Sequence, residues 1–389
     1  MTVVYSLRSE WRRQLMNKKW IGTWGSSQLI AANETVPPTP GLAGNTYRQS
    51  VRVSIGGECL KIKFTNEFGE CPLEIESVNI ARLLTPGVSR IDPTTDTVVL
   101  FDGKEGVTIP AGETVMSDVI DYRFDPLEYI TVTTKFGAVP TTTTSHTASR
   151  STNWLATGNH VTDAELFDTA TATSWYFLSD METLADEDAR AIVCFGDSIT
   201  DGYGVTTDGY NRWTDQLARA LQANPATKKV SVINRGIGGN AIWGGNGPAA
   251  KNRFVRDVLG TTGAKYMILL IGVNDIGYAQ EDISEAMFAQ ILDWTKQCHE
   301  NGIKVYAGTV LPFKTHYYYS ELHEQVRVNL NKRILAEDAP FDGVIDFASA
   351  IAREDDPSMM KDVYANDYLH PSVPGYTLLG SMIDVKWFE

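Results

Sequence analysis

The sequence predicts two domains of different class. An antiparallel β-sandwich of jelly-roll type is expected over residues 1–186, and an α/β domain with a doubly wound, five-stranded parallel sheet over residues 187–389. Three observations support this division. A chain of 389 residues is longer than one hydrophobic core usually serves. Short runs that alternate apolar and polar residues occupy 47–178, whereas continuous apolar runs separated by helical patterns occupy the remainder.

The first half shows strand periodicity. Apolar and polar residues alternate over 51–55 and again over 60–64. Gly56 and Gly57 lie between these two runs, and because glycine adopts positive φ without strain, the pair predicts a β-hairpin. Later runs are separated by turns rich in Pro, Gly and Asp, at 73–80, 98–101 and 129–136. Alternation interrupted by such turns is typical of an antiparallel sandwich.

The second half shows continuous apolar runs. The run at 191–195 is typical of a parallel strand that is buried on both faces. Helical patterns alternate with four further runs, at 230–233, 266–271, 303–310 and 344–347. This alternation predicts a doubly wound sheet. Ligands of such sheets bind beyond the carboxyl ends of the strands, so we expect the functional residues in the loops after Phe195, Ile233, Ile271 and Val310.

The clearest helix of the second half follows Asp282. Asp282 and Glu285 have the spacing of a capping box. Five apolar side chains recur at spacings of three and four, which places them on one helical face: Ile283, Met287, Ile291, Trp294 and Cys298. We expect this face in the core, where Trp294 and Cys298 pack against apolar neighbours and bind no cofactor.

Composition excludes several classes of protein. Hydrophobic residues make up 43% of the chain and charged residues 21%, which is typical of globular proteins. A formal net charge of −14 repels phosphate backbones and anionic lipid, and the longest apolar run, 266–273, is too short to cross a bilayer. We therefore expect neither nucleic acid nor a membrane as a partner.

Cysteine spacing gives no indication of a metal site or a disulfide framework. The four cysteines show no CxxC spacing and have no histidine pair nearby: Cys59, Cys71, Cys194 and Cys298. We expect buried free thiols, no metal and no other cofactor.

The first twenty residues bear on localisation. They contain five basic side chains with no apolar stretch behind them: Arg8, Arg12, Arg13, Lys18 and Lys19. This pattern does not predict a secretory signal. We therefore expect a cytoplasmic protein, unless a leader has been removed.

A serine and a histidine are the first candidates for chemistry. Ser198 directly follows the buried strand and precedes a helix, within Gly-Asp-Ser-Ile-Thr-Asp-Gly (196–202). A serine hydroxyl is a weak nucleophile until an oriented base removes its proton. His370 has a carboxylate three residues before it, at Asp367, so one loop supplies both a base and the group that orients it. The other histidines have contexts that predict structural or surface roles: His146, His160, His299, His316 and His323.

Four blocks of the sequence together resemble the SGNH, or GDSL-type, serine hydrolases. They occur in the order found in that family, at the carboxyl ends of predicted strands: Gly196-Asp197-Ser198, Gly239 within 234–240, Gly272-Val273-Asn274-Asp275 and Asp367-Tyr368-Leu369-His370-Pro371. The resemblance covers residues 190 to 385. Ile199 stands where the family commonly has leucine, a change that conserves side-chain volume.

The resemblance implies a flavodoxin-like SGNH hydrolase domain with a Ser-His-Asp triad. Ser198 would attack an ester carbonyl, His370 would accept and return the proton, and Asp367 would orient the imidazole. The implied oxyanion hole consists of the backbone N–H groups of Ser198 and Gly239 and the side-chain amide of Asn274.

Three polar residues beside these blocks have a different expected role. We expect Asp197, Asp275 and Asn240 to brace the loops through hydrogen bonds to backbone groups, without acting on substrate.

The first half bears on the substrate. With Trp20-Ile-Gly-Thr-Trp24 near its start, it resembles the accessory domain of two-domain members, several of which are carbohydrate esterases. We therefore expect a small acyl ester as substrate, most simply an acetyl ester of an oligosaccharide such as acetylated xylan. Trp243, in the glycine-rich loop 238–247, is the candidate for stacking on a sugar ring, and a tryptophan packed between the domains is the alternative.

Three alternatives stay open, and the sequence does not indicate an oligomeric state. A lysophospholipase, thioesterase or aryl esterase fits the same residues, because a triad specifies acyl transfer and not the acyl group. A non-catalytic carbohydrate-binding protein would use the sandwich alone. The run 236–241 with Asp257 also fits a dinucleotide fingerprint, but that motif belongs after the first strand of its unit and here follows the second.

Overall fold

The computed structural model describes residues 18–389. Three of the five basic side chains weighed for localisation, Arg8, Arg12 and Arg13, lie outside the described residues. None of the helices in 18–389 is both long and apolar enough to cross a membrane.

Antiparallel strands dominate the first half. Within the described residues it contains β1 (Lys18–Gly25), β2 (Leu29–Ile30), β3 (Thr46–Arg52), β4 (Gly57–Thr65), β5 (Leu73–Arg82), β6 (Thr97–Val99), β7 (Val107–Ile109), β8 (Thr114–Met116), β9 (Ile120–Phe124), β10 (Tyr129–Phe136), β11 (Thr144–His146), β12 (Asn153–Ala156), β13 (Ala170–Ala172), β14 (Trp175–Tyr176) and β15 (Leu178–Asp186). One sheet has the order β1-β15-β4-β8, with β9 also on β4, and a second has the order β13-β12-β3-β10-β5-β6, with β7 on β5. A small third sheet joins β14, β11 and β2. The jelly-roll arrangement and the boundary after residue 186 stay predictions.

The predicted hairpin at Gly56-Gly57 is wrong. β3 pairs with β10 and β12, whereas β4 pairs with β15, β8 and β9, so the two glycines connect one sheet to the other. A Cβ atom on Gly56 would lie 2.6 Å from the carbonyl oxygen of Phe124. The glycine is therefore required by close backbone approach at a crossover, which produces the same local sequence as a hairpin turn.

The second half has the predicted α/β fold. Its sheet is parallel, with the order β17-β16-β18-β19-β20. The strands are β16 (Arg190–Gly196), β17 (Val230–Gly236), β18 (Ala264–Leu270), β19 (Lys304–Gly308) and β20 (Gly343–Ile345). The helices are α1 (Ser198–Asp201), α2 (Trp213–Ala223), α3 (Ala250–Phe254), α4 (Val273–Gly277), α5 (Ser284–Glu300), α6 (Glu321–Ile334), α7 (Phe347–Ile351) and α8 (Val373–Ser381). A π-helical turn, Val255–Leu259, continues α3.

Helix α5 packs as predicted but begins differently. Met287, Ile291, Trp294 and Cys298 are buried in the core of the second half. The capping box is wrong: the helix starts at Ser284, whose N–H donates to Asp282 Oδ1 at 2.9 Å. Glu285 instead pairs with Arg333 at 3.3 Å, because α6 lies close enough to attract its side chain.

The cysteine prediction is correct for three of the four thiols. Cys59, Cys194 and Cys298 are buried, and all four cysteines are free. Cys71 is exposed, since it follows the turn that precedes β5.

The two halves share an apolar contact at one edge of the parallel sheet. Ile21 and Ile55 of the first half form a buried cluster with Ala191 of β16 and Ile233 of β17. β17 is the edge strand, and its Val232 N–H donates to Ser54 Oγ at 3.1 Å. The first half therefore covers the edge of the sheet next to the strand that leads to the candidate nucleophile.

Candidate active site

The position of Ser198 follows from the end of β16. The strand stops at Gly196, where a Cβ atom would lie 2.3 Å from the carbonyl oxygen of Leu270. Asp197 then caps α1, its Oδ1 accepting from Ile199 N at 3.0 Å. Ser198 is the first residue of that helix and is almost wholly buried. The predicted nucleophile thus lies at the carboxyl end of β16, the strand next to the edge strand β17.

Ser198, His370 and Asp367 lie in line. His370 Nε2 is 2.8 Å from Ser198 Oγ, and His370 Nδ1 is 2.8 Å from Asp367 Oδ2. Asp367 Oδ1 accepts from the backbone N–H groups of His370 and Leu369 at 2.8 and 3.0 Å, which fixes the carboxylate. Partial burial raises the pKa of Asp367, but the hydrogen bonds and charge of His370 outweigh it and hold that pKa well below its usual range. The carboxylate therefore stays ionised while it orients the ring.

Tyr203 packs on the imidazole. The ring centroids of Tyr203 and His370 are 4.2 Å apart at 35°, and Tyr376 Oη donates to the Tyr203 carbonyl at 2.7 Å. The sequence analysis missed Tyr203, and no local pattern singles it out. Its contact limits the rotation of the His370 ring.

The predicted oxyanion residues border the serine. Gly239 has φ of +71°, and the carboxylate at Asp201 of α1 accepts from the preceding N–H, that of Gly238, at 3.1 Å. Among the described residues, neither Ser198 N–H nor Gly239 N–H donates to a protein acceptor. Both groups are therefore available to a substrate oxygen.

Asn274 is held by two hydrogen bonds. Its Nδ2 donates to the Asn240 carbonyl at 2.9 Å, and Tyr318 Oη donates to its Oδ1 at 3.2 Å. An amide carries two N–H donors, so one remains for a substrate. Burial and the neighbouring tyrosines raise the pKa of Tyr318, which keeps its hydroxyl protonated as a donor.

The three expected braces do support the loops. Asp197 caps α1, as described above. Asp275 accepts from Ile242 N at 2.9 Å and from Trp243 N at 3.4 Å. Asn240 Nδ2 donates to the carbonyl groups of residues 246 and 248 at 2.8 and 2.9 Å. Burial raises the pKa of Asp197 to about 7 and that of Asp275 to about 6.

Arg253, which the sequence analysis did not identify, lies beneath these loops. It is fully buried and donates to Asn240 Oδ1 at 3.0 Å, to the Arg235 carbonyl at 2.8 Å and to the Gly196 carbonyl at 2.8 Å. Asp257 neutralises it at 2.9 Å. Asp257, the acidic residue of the dinucleotide alternative, is therefore already part of an ion pair.

Two histidines lie nearer the candidate site than their sequence contexts indicate. His146 of β11 lies 2.9 Å from Asp201 of the nucleophile's helix, a contact that depends on docking between the halves. Burial lowers the pKa of His316, and the charges of Asp367 and His370 act on it as well. His323 is structural, with its ring between the carbonyl groups of Tyr318 and Ala279.

Four exposed aromatic side chains lie beside His370 or on the segments that hold Asn274 and Asp275. We call them the aromatic rim: Tyr203, Trp243, Tyr278 and Tyr317. Tyr203 lies on His370, and the backbone N–H of Trp243 faces Asp275. Tyr278 and Tyr317 both pack on Tyr318, with ring centroids 5.2 and 4.7 Å away. Trp243 is 39% exposed, so part of its ring is open to solvent.

The part of the chain that the structure describes contains no candidate metal site. No group of three or more His, Cys, Asp or Glu side chains within 18–389 has the arrangement of a metal site.

Comparison with known proteins adds the family. Residues 194–378 match the GDSL-like lipase/acylhydrolase family. Similar solved structures include a GDSL-like lipase from Bacteroides thetaiotaomicron (21% identity, 50% of this chain and 85% of that one, TM-score 0.39). Another is a lipolytic G-D-S-L family member from Veillonella parvula (22% identity, 50% of this chain and 96% of that one, TM-score 0.39). A third is the lipase/acylhydrolase from Enterococcus faecalis (22% identity, 50% of this chain and 92% of that one, TM-score 0.39). No curated protein matched.

The family assignment agrees with the four sequence blocks, all of which fall inside the matched range. It supports hydrolase activity toward esters. Residues 194–378 therefore form a GDSL-like lipase/acylhydrolase domain.

Proposed function

We propose that this protein is a serine esterase that uses Ser198, His370 and Asp367 as its triad. The observation that carries the proposal is the continuous line of two 2.8 Å contacts from Asp367 through His370 to Ser198. Asp367 fixes the proton on Nδ1, so Nε2 presents its lone pair to the serine hydroxyl. Ser198 lies at the carboxyl end of a parallel strand, which is where ligands of such folds bind.

The proposed reaction has two halves. Ser198 Oγ adds to the ester carbonyl while its proton moves to His370 Nε2; the tetrahedral adduct then collapses, and the same proton leaves with the alcohol. Water repeats the sequence on the acyl-enzyme, which releases the acid and regenerates Ser198. Each proton passes through one nitrogen, His370 Nε2.

The negative charge of each tetrahedral adduct needs donors already in place. The N–H groups of Ser198 and Gly239 and the free N–H of the Asn274 amide are the proposed donors. Preorganised donors of this kind contribute about 2.7–4 kcal/mol each to transition-state stabilisation.

The proposed substrate is a small acyl ester, most simply acetyl, on an oligosaccharide such as acetylated xylan. The aromatic rim supports this, since aromatic faces stack on the apolar faces of pyranose rings. Of the five exposed aromatic side chains in the described residues, four belong to the rim and only Phe167 lies elsewhere.

Turnover of p-nitrophenyl acetate tests the esterase. Ser198→Ala and His370→Ala should each lower kcat by about 10⁴-fold or more. Ser381→Ala, which removes an exposed serine of α8, is the matched control and should leave the rate unchanged. A tenth of the wild-type rate in either triad variant would refute the triad.

Substrate class needs a separate experiment. For an acetyl-sized site, kcat/KM should fall from acetate to butyrate to octanoate esters, and acetylated xylo-oligosaccharide should release acetate. Trp243→Ala should weaken the glycan reaction more than the p-nitrophenyl acetate reaction, whereas Phe167→Ala should change neither. Rates that rise toward octanoate, or no acetate from the glycan, would favour a lipase or thioesterase.

A further inference from the structure

Asp201 joins three parts of the molecule. It is the last residue of α1, three positions after Ser198, and is only 2% exposed. Its Oδ2 accepts from Gly238 N at 3.1 Å, and its Oδ1 is 2.9 Å from His146 Nε2. One carboxylate therefore connects the helix of the nucleophile, the loop that carries Gly239, and a side chain of the β-rich half.

His146 is built into the β-rich half on its other side. It lies on β11 and is buried, its Nδ1 is 2.8 Å from the Ser27 carbonyl, and its ring packs on Trp175 at 5.5 Å. A carbonyl and a carboxylate are both hydrogen-bond acceptors, so each ring nitrogen of His146 faces an acceptor oxygen.

The contact between the two side chains is buried, with His146 4% and Asp201 2% exposed at their side chains. Burial raises the pKa of Asp201, but the charge and hydrogen bond of His146, together with the charges of Arg150 and Arg212, outweigh it and lower that pKa. Arg212 also donates to the Asp201 carbonyl at 2.7 Å. Buried ion pairs add little net stability because desolvation offsets their attraction. The contact with His146 instead fixes the orientation of the Asp201 carboxylate, and that carboxylate in turn fixes the position of the Gly238 N–H.

We propose that His146 is a positioning residue for the oxyanion hole. By holding Asp201, it keeps the Gly238–Gly239 turn where the Gly239 N–H meets the developing charge on the substrate. The β-rich half thereby takes part in catalysis without contacting the reacting atoms. This inference rests on the proposed esterase function and adds to it a residue from outside the family-matched range.

The full-length protein tests the proposal through a comparison of two histidines. His146→Ala should lower kcat on p-nitrophenyl acetate about 10-fold, below the 10²–10³-fold seen when a whole oxyanion donor is removed, and leave KM within about twofold. A trifluoromethyl ketone, which forms a tetrahedral adduct with the serine, should bind more weakly by a similar factor. The matched control is His160→Ala, which removes an exposed histidine of the same half that is also paired with a carboxylate, Asp163, at 2.7 Å. It should change neither constant.

Two further variants separate positioning from a general structural role. His146→Gln keeps an N–H close to the place of Nε2 and should recover most of the lost kcat. Asp201→Asn should itself lower kcat about 10-fold, and in that background His146→Ala should cost less than a further twofold, because coupled residues are non-additive.

The outcomes are distinguishable. A wild-type protein without esterase turnover refutes the proposed function. If the wild type is active, three results for His146→Ala refute the positioning role. These are an unchanged kcat, a change confined to KM, and a fall in kcat that is equally large in the Asp201→Asn background. If His146→Ala does not fold, Asp201→Asn decides: unchanged kcat overturns the inference, and a 10-fold loss supports it.

Discussion

Replacing Tyr318 by phenylalanine tests the most specific feature of the candidate oxyanion hole. The change removes one hydroxyl, whose bond to Asn274 Oδ1 is 3.2 Å long, and leaves the buried ring in place. The remaining restraint on the amide is the 2.9 Å bond from its Nδ2 to the Asn240 carbonyl. Tyr318→Phe should therefore loosen the amide without removing it.

The size of the effect follows from the bond that is lost. A neutral hydrogen bond contributes about 1 kcal/mol, so if that energy holds the amide in its productive orientation, kcat should fall about fivefold. Complete loss of the donor in Asn274→Ala sets the upper limit at about 10²–10³-fold. KM should change little, because the charge that the amide meets exists only in the transition state.

Steady-state kinetics on p-nitrophenyl acetate provide the assay. In the Asn274→Ala background, Tyr318→Phe should have no further effect, since the group that it orients is absent. Tyr319→Phe, in the same segment, removes a hydroxyl that faces Glu321 at 3.4 Å and should leave kcat unchanged. Equal losses in both backgrounds, or an effect confined to KM, would refute the orienting role.

Three other predictions concern the site and its charges. Asp367→Asn should lower kcat about 10⁴-fold, less than Ser198→Ala, because an amide facing Nδ1 favours the wrong imidazole tautomer; a loss under tenfold would contradict this. Gly239→Ala should lower kcat about tenfold, since φ is +71° and the new Cβ would lie 2.5 Å from Asn246 Nδ2; unchanged kinetics would contradict it. Burial raises the pKa of Asp197 from 3.8 to about 7, so the folded protein holds this proton more tightly than the unfolded chain does and loses stability as pH rises from about 4 to 7, by up to about 4 kcal/mol. Asp197→Asn should therefore gain Tm relative to wild type between pH 5 and pH 8, and a difference that is constant with pH would show that Asp197 does not titrate in this range.

The three candidate triad residues could be selected from the sequence because their expected chemistry is local along the chain. Asp367 and His370 lie on one loop, and Ser198 directly follows a buried apolar strand, so spacing alone indicates an oriented base and a nucleophile at the edge of a sheet. The structure places His370 between the other two, at 2.8 Å from each.

Other parts of the site have no local signal. Tyr203 contacts His370, and Tyr318 contacts Asn274, in each case through a loop. His146 contacts Asp201 through docking of the two halves. None of the three has a distinctive neighbour in sequence. Gly56-Gly57 has a clear local pattern, but that pattern fits two different structures. A crossover between sheets and a hairpin turn both require glycine, so the local pattern does not distinguish them.

The covered edge of the parallel sheet has a consequence for biosynthesis. β17 is the outer strand, and the Ser54 side chain together with Ile21 and Ile55 shields it. A ribosome releases the β-rich half first, so this shield can fold before the edge emerges. Residues 187–389 translated alone would present that edge to other nascent chains, and uncovered edge strands pair and aggregate. Because the β-rich half is synthesised first, we expect the β17 edge to be covered, and its pairing with other nascent chains to be prevented, while the parallel sheet forms.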